Sequence, residues 1–180
     1  MELQRDLLFI VSYYLQKQNK GVYSVVRPEK MNYYLNIAQK VAERGTCLRR
    51  LYGAVIVKDD EIISTGYCGA PRGAVNCCDK GSCKRQELNI PSGERYELCR
   101  SVHAEANAII SASRNEMIGA TLYLAGLDAG TGEVLETSEC CSMCRRMILN
   151  AGITTVVIRR TDDTFEIQSP AQWLLFDDAI

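Results

Sequence analysis

The chain lacks a charge excess, a long apolar run and, with one exception, histidine. Lys and Arg together number 21 against 22 Asp and Glu, a formal net charge of −1. A broad nucleic-acid interface needs a basic surface to neutralise phosphates, so no large nucleic-acid interface is expected. A small phosphorylated ligand needs only a few well-placed cations and stays open. The most apolar run near the start, Leu7 to Leu15, is far shorter than the ~20 residues of a membrane-spanning helix, so no membrane partner is expected. Met1 to Asp6 is not a net-positive leader and no small-residue cleavage site follows it, so the protein is expected to be cytoplasmic. There is one histidine, so any catalytic or ligating imidazole must be His103.

What is present is ordinary in bulk and unusual in one residue type. At 180 residues, 47% hydrophobic and 24% charged, the chain has the composition of one soluble domain carrying an appendage. It holds nine cysteines: Cys47, Cys68, Cys77, Cys78, Cys83, Cys99, Cys140, Cys141 and Cys144. An odd count without a secretory leader argues against a disulfide framework and for metal binding or chemistry.

Residues 2–18 have a helical stripe (Leu3, Leu7, Ile10, Val11, Tyr14, Leu15) and are followed by a β-like run to Val26. Residues 1–30 are therefore read as an N-terminal helical extension and 31–180 as the main domain. A second helix opens at Arg27-Pro28-Glu29-Lys30, burying Tyr34, Ile37, Ala38 and Val41, and Gly45 ends it. Gly53–Val57 and Glu61–Tyr67 are β-rich runs joined by Lys58-Asp59-Asp60, a hairpin signal. Cys68 to Val102 has no sustained period, and a loop of that length needs something to clip it. Then come a buried helix from His103 to Ser113, a strand over Thr121–Ala125, a helix over Cys141–Ala151 ended by Gly152, a strand over Ile153–Arg159, and a last helix from Pro170 carrying Trp173, Leu174 and Phe176. This alternation predicts an α/β fold with a mixed, mostly parallel sheet, the first hairpin adding an antiparallel edge.

The sharpest chemical signal is His103-Ala104-Glu105 with Cys141-Ser142-Met143-Cys144. Two thiolates at i and i+3 on one helical turn can grip one ion, and an imidazole opening a neighbouring helix can supply a third ligand. Helix N-termini favour thiolate. Three protein ligands leave the fourth position of a zinc ion open to water, the arrangement of a catalytic site. Glu105 need not be a ligand and is placed to carry a proton from water to a departing amine. A structural Cys-Cys-His site completed by Cys140 is the rival reading.

These motifs resemble the zinc-dependent cytidine and deoxycytidylate deaminase family, whose signature is H-x-E…P-C-x-x-C, with the nearest likeness to its deoxycytidylate and late-competence-operon type. Cys47-Leu48-Arg49-Arg50, Gly53 to Val57, Ile62 to Tyr67, Pro71-Arg72-Gly73, residues 102–110 and Cys144 to Ile153 carry the likeness, which covers about residues 31–160. The resemblance implies a three-layer α/β/α fold, zinc held by His103, Cys141 and Cys144, Glu105 as proton shuttle, and backbone amides of Ala104 and Cys141 positioning the base. It implies hydrolytic deamination of a cytosine nucleotide, dCMP foremost, to the uracil compound and ammonia. Two positions depart from the pattern: Cys68 stands where the family usually has a sugar-binding Asn, and Cys140 where it usually has Pro.

In the resembling enzymes a second, structural zinc often clips the long loop, and alignment on Val75-Asn76-Cys77 selects Cys47, Cys77, Cys83 and Cys99, with Cys78 the rival of Cys77. Arg49 and Arg72 are the candidate substrate cations at the pocket rim, while Arg145-Arg146 and Arg159-Arg160 read as solvated element ends. The tyrosine-rich N-terminal helices read as packing or oligomer surface, and a homo-oligomer is expected. Two other functions are carried: a catalytically silent zinc module for assembly, and a deaminase of another cytosine-type base or nucleoside.

Overall fold

The computed structural model describes residues 27–91 and 93–175. The helix read over residues 2–18, the β-like run to Val26 and Phe176 lie outside the described residues. Helix α1 (Lys30–Ala42) starts at Glu29, whose carboxylate accepts from the Asn32 N–H. Strands β1 (Arg50–Lys58) and β2 (Glu61–Tyr67) follow, joined by Asp59 and Asp60 at φ 50° and 72°. That is the doubly left-handed geometry of a two-residue hairpin turn, in which Asp is tolerated. The Tyr34 hydroxyl reaches across to this turn, donating to Asp60 Oδ1 at 2.5 Å and to its carbonyl at 2.9 Å. The hydrogen bond to the Asp60 carboxylate pushes the Tyr34 pKa up to about 12.

The long cysteine-bearing stretch is closed at its neck by paired hydrogen bonds between Gly69 and Val102. Within it lie three single turns: α2 (Cys77–Lys80), α3 (Lys84–Glu87) and a 3₁₀ turn over Tyr96–Leu98. One turn is too short to print a period on the sequence. Beyond the neck come α4 (Ala104–Ile110), α5 (Arg114–Met117), β3 (Thr121–Asp128), α6 (Ser142–Ala151), β4 (Thr155–Arg159), β5 (Phe165–Gln168) and α7 (Pro170–Trp173).

The five strands form one sheet in the order β2-β1-β3-β4-β5. It is mixed, as expected, but it is not mostly parallel: β3–β4 is the parallel pair, while β1–β2, β1–β3 and β4–β5 are antiparallel. The expectation failed because a helical crossover fixes the direction of the two strands it joins and not their adjacency. Strands β2 and β3 do run the same way, but β1 lies between them. Strand β5 supplies the last antiparallel edge; it carries four residues, Phe165-Glu166-Ile167-Gln168, too few for its alternation to stand out.

Helices cover both faces. On one, α1 buries Tyr34, Leu35 and Ala38 against Val55, Val57, Tyr123, Ala125 and Val157. Ile37 and Val41, expected in that core, are partly buried at its margin, and Leu35 and Ala42 are interior instead. On the other face α4 and α6 bring Ala104, Ala108, Ile148 and Ala151 onto Ala54, Ile56, Leu122, Leu124, Val156 and Ile158. The strands thus contribute alternate residues to two cores, giving the three-layer arrangement.

Two glycines set how closely the layers approach. A Cβ at Gly53 would lie 2.1 Å from the Ala38 carbonyl oxygen, and one at Gly66 would lie 2.3 Å from the carbonyl of Ala104 and the amide of Ala108. Both helices therefore rest backbone-on-backbone against the sheet. Gly53→Ala and Gly66→Ala are each expected to destabilise the protein by about 1–3 kcal/mol in urea unfolding. Wild-type stability in either variant would mean that the helix stands off the strand at that point.

Candidate metal centre

Three residues converge where α4 and α6 begin. His103 is the N-cap of α4 and Cys141 the N-cap of α6, each with an extended backbone; Cys144 lies one turn into α6 and is fully buried. The segment leading to Cys141 is held from β4's end by Arg160, which donates to the carbonyls of Glu136 and Ser138 at 2.9 and 2.5 Å and to the carboxylates of Glu139 and Glu166. Arg159 is also wholly interior, donating to Asn32 and Asn36 of α1 and to the Asp162 carbonyl. The reading of this pair as a solvated strand end is corrected: one arginine ties β4 to α1 and the other anchors the cysteine segment.

His103 Nδ1 lies 3.3 Å from Cys141 Sγ and 3.5 Å from Cys144 Sγ, and the three ligand atoms all fall within 4.8 Å of one another. A tetrahedral zinc ion with bonds of ~2.0–2.3 Å places its ligand atoms roughly 3.5–3.8 Å apart, so this donor set fits zinc. The closeness of the two thiols, with the neighbouring imidazole, pulls Cys141 down towards thiolate and pushes Cys144 up. Burial pulls the His103 pKa down, but the hydrogen bond to Cys141 and the charges of Glu105 and Cys141 outweigh it, and the net shift is upward.

Glu105, in the first turn of α4, is 4% exposed. Burial pushes its carboxyl pKa up against the opposing charge of His103. Its near neighbour Cys140 is 2% exposed, and its thiol is raised chiefly by burial and then by the Glu105 charge. Cys140 is outside the three-ligand group, so the i, i+3 pair is the one that meets the imidazole.

A cavity of about 100 Å³ opens onto His103, Ala104, Glu105 and Cys141. Cys68 and Arg49 line it as expected. The Cys68 thiol is already engaged with β1, accepting from the Tyr52 N–H at 3.2 Å and donating to the Arg50 carbonyl at 3.5 Å, and burial pushes its pKa up to about 11. A sugar contact from Cys68 would cost one of these bonds. Arg72 does not line this cavity; it stands on a second cleft with Tyr67, Pro71 and Asn107. Sequence reasoning missed Arg50, Tyr52, Arg85, Tyr96 and Glu139 on the cavity wall. Nothing in the local pattern of Lys84-Arg85 distinguishes it from a solvated charge pair.

Cys47, Cys83 and Cys99 also line the cavity, and the thiol of buried Cys77 is raised by burial and by the charges of these three. The four share one neighbourhood, although among the described residues they do not form a group at metal-ligand spacing. Cys78 is exposed and turned to the Asp79 carboxylate at 3.5 Å.

Residues 28–160 match the profile of the cytidine and deoxycytidylate deaminase zinc-binding region. The chain is 39% identical over 136 residues to the deoxycytidylate deaminase of Mycobacterium phage D29, covering 73% of this chain and 94% of that protein. It is 33% identical over 132 residues to the deoxycytidylate deaminase of Schizosaccharomyces pombe, covering 73% of this chain but 37% of the longer yeast protein. The apo crystal structure of dCMP deaminase from cyanophage S-TIM5 superposes with a TM-score of 0.52 at 26% identity, over 74% of this chain and 85% of that one. The His-Cys-Cys cluster lies inside the matched region, and the layered fold around it is shared: the chain belongs to the zinc-dependent cytidine and deoxycytidylate deaminase family.

Proposed function

We propose that this enzyme hydrolyses the exocyclic amine of dCMP to give dUMP and ammonia, with His103, Cys141 and Cys144 holding a zinc ion and Glu105 moving the protons. The names of its relatives support the substrate. The observation that carries the chemistry is Glu105: a carboxyl group 4% exposed, on the wall of the same cavity as the imidazole and the Cys141 thiolate. Zinc bound by three protein ligands supplies a Lewis acid that lets water act as a nucleophile at neutral pH.

The residues of the chain do the rest. Burial raises the Glu105 carboxyl towards the range in which one group can both take and give a proton near neutrality. Glu105 accepts a proton as water adds to C4, delivers it to the ring nitrogen, and then protonates the amine. The proton on the ring nitrogen stays with the product, the C4–N bond breaks as a carbonyl forms at C4, and ammonia leaves with its own two protons and the second proton of water, carried to it by Glu105. The amides of Ala104 and Cys141, at the starts of α4 and α6, are free of intrahelical partners and hold the base. The exposed apolar residues Ile62, Tyr67 and Ile110 along β2 and α4 support the expected homo-oligomer.

Glu105→Gln is expected to lower deamination of dCMP by about 10²–10⁴-fold while elemental analysis finds the zinc content unchanged. Activity within about tenfold of wild type would remove Glu105 from proton transfer. Zinc lost in proportion to rate would make it a ligand.

The cysteine neighbourhood supports a second, structural zinc held by Cys47, Cys77, Cys83 and Cys99, which would pin the long loop beside the cavity. Reduced, metal-replete protein should then contain two zinc ions per chain. Cys83→Ser and Cys99→Ser should each remove one ion and lower Tm while His103, Cys141 and Cys144 keep theirs. A single ion in the wild-type protein would leave the four cysteines as a thiol cluster.

A further inference from the structure

Arg85 lines the cavity and is 4% exposed. One of its terminal nitrogens donates to the carbonyls of Pro91 and Glu94 at 2.5 and 2.6 Å. Among the described residues its Nε is buried without a hydrogen-bond partner, and no carboxylate forms an ion pair with it. Arg159, another interior arginine among the described residues, also has an unpartnered Nε and no ion pair, but acceptors from Asn32, Asn36 and Asp162 occupy both its terminal nitrogens and it is not on the cavity wall. A guanidinium removed from water without an anion is costly, and one that lines a cavity is open to an anion that enters there.

Its position says which anion. The guanidinium carbon stacks 4.6 Å from the centre of the Tyr96 ring, and that ring stands edge-on to His103 with centres 5.1 Å apart. Arg85 is therefore one aromatic ring away from the imidazole of the metal cluster, on the same cavity. A nucleotide whose cytosine amine reaches the cluster carries its phosphate one sugar away. The other arginines of the cavity differ: Arg49 and Arg50 are half-exposed.

Resting on the reading of the site as a dCMP deaminase, we propose that Arg85 binds the substrate's 5′-phosphate and is the residue that makes the enzyme prefer the nucleotide over the nucleoside. The phosphate supplies the missing anion, and Tyr96 holds the fork flat between phosphate and imidazole. The Pro91 and Glu94 carbonyls fix the fork before substrate arrives, so its orientation is set in the free enzyme.

The test is kcat/KM for dCMP and for deoxycytidine, measured on the zinc-loaded wild type, on Arg85→Gln and on Arg85→Lys. The wild type should prefer dCMP. Arg85→Gln should lower kcat/KM for dCMP by about 100-fold, the scale of a lost charge-assisted pair, and that for deoxycytidine by less than about threefold, collapsing the preference. Arg85→Lys keeps the charge without the fork and should give an intermediate dCMP value; it carries the comparison alone if Arg85→Gln does not fold. Equal losses on both substrates, in either variant, would make Arg85 a support of the 91–94 loop and overturn the assignment. A wild type that turns over dCMP and deoxycytidine equally well would overturn it without any variant. A wild type that deaminates deoxycytidine and not dCMP would overturn the dCMP reading itself, and Arg85 with it.

Discussion

Two helix N-termini must be set down side by side at one end of the sheet before an imidazole and two thiols can meet. Helix α4 achieves this by resting its backbone on Gly66, with Ala104 and Ala108 as its contact residues. Helix α6 is the crossover between the parallel strands β3 and β4, so its first turn emerges beyond the carboxyl end of β3, where open α/β sheets place their ligands. Because both helices lie on the same face, a change in either packing distance moves one ligand set relative to the other. The 3.3 and 3.5 Å separations at His103 Nδ1 are thus a product of the cores beneath them.

The site's innermost part was legible because it is short-range. Cys141 and Cys144 share a helical turn, His103 and Glu105 are two residues apart, and each pair needs only its own helix start to be oriented. The β1–β2 hairpin was legible for the same reason: the Asp59-Asp60 turn fixes its register locally. Sheet order was not, since the insertion of β1 between β2 and β3 leaves no mark on any one segment. Arg159 and Arg160 show the same limit. Their side chains are absorbed by Asn32 and Asn36 of α1, and by Glu139 and the carbonyls of Glu136 and Ser138. No local pattern separates such a pair from a solvated strand end.

The long loop is a third case. Its three single turns have no amphipathic period, and its order comes from contacts at its neck and along the cavity. Gly69 pairs with Val102, the Thr46 hydroxyl donates to the Asn76 side chain at 3.0 Å, and Arg85 collects the Pro91 and Glu94 carbonyls. Few of its residues are interior, and two that are, Cys77 and Arg85, carry groups that ordinarily seek a partner. Packing alone gives such a segment little reason to hold its shape, so its cysteines and its arginine have to be read as ligand-directed or as unusually costly ornaments.

On the cavity wall that cost is carried by two groups at once. Interior side chains elsewhere are overwhelmingly apolar or, like Ser64 and the terminal nitrogens of Arg159, have hydrogen-bond acceptors for their polar ends. On the cavity wall Glu105 is buried with its carboxyl pKa raised, and Arg85 is buried without a carboxylate. The two are of opposite sign yet do not pair with each other; His103 and Tyr96 stand on the wall with them. Had stability alone chosen these residues, contact between carboxylate and guanidinium would have offset both burials. Held apart, each is left for a different part of one ligand, as the proposed roles of the carboxyl at the base and the guanidinium at the phosphate require.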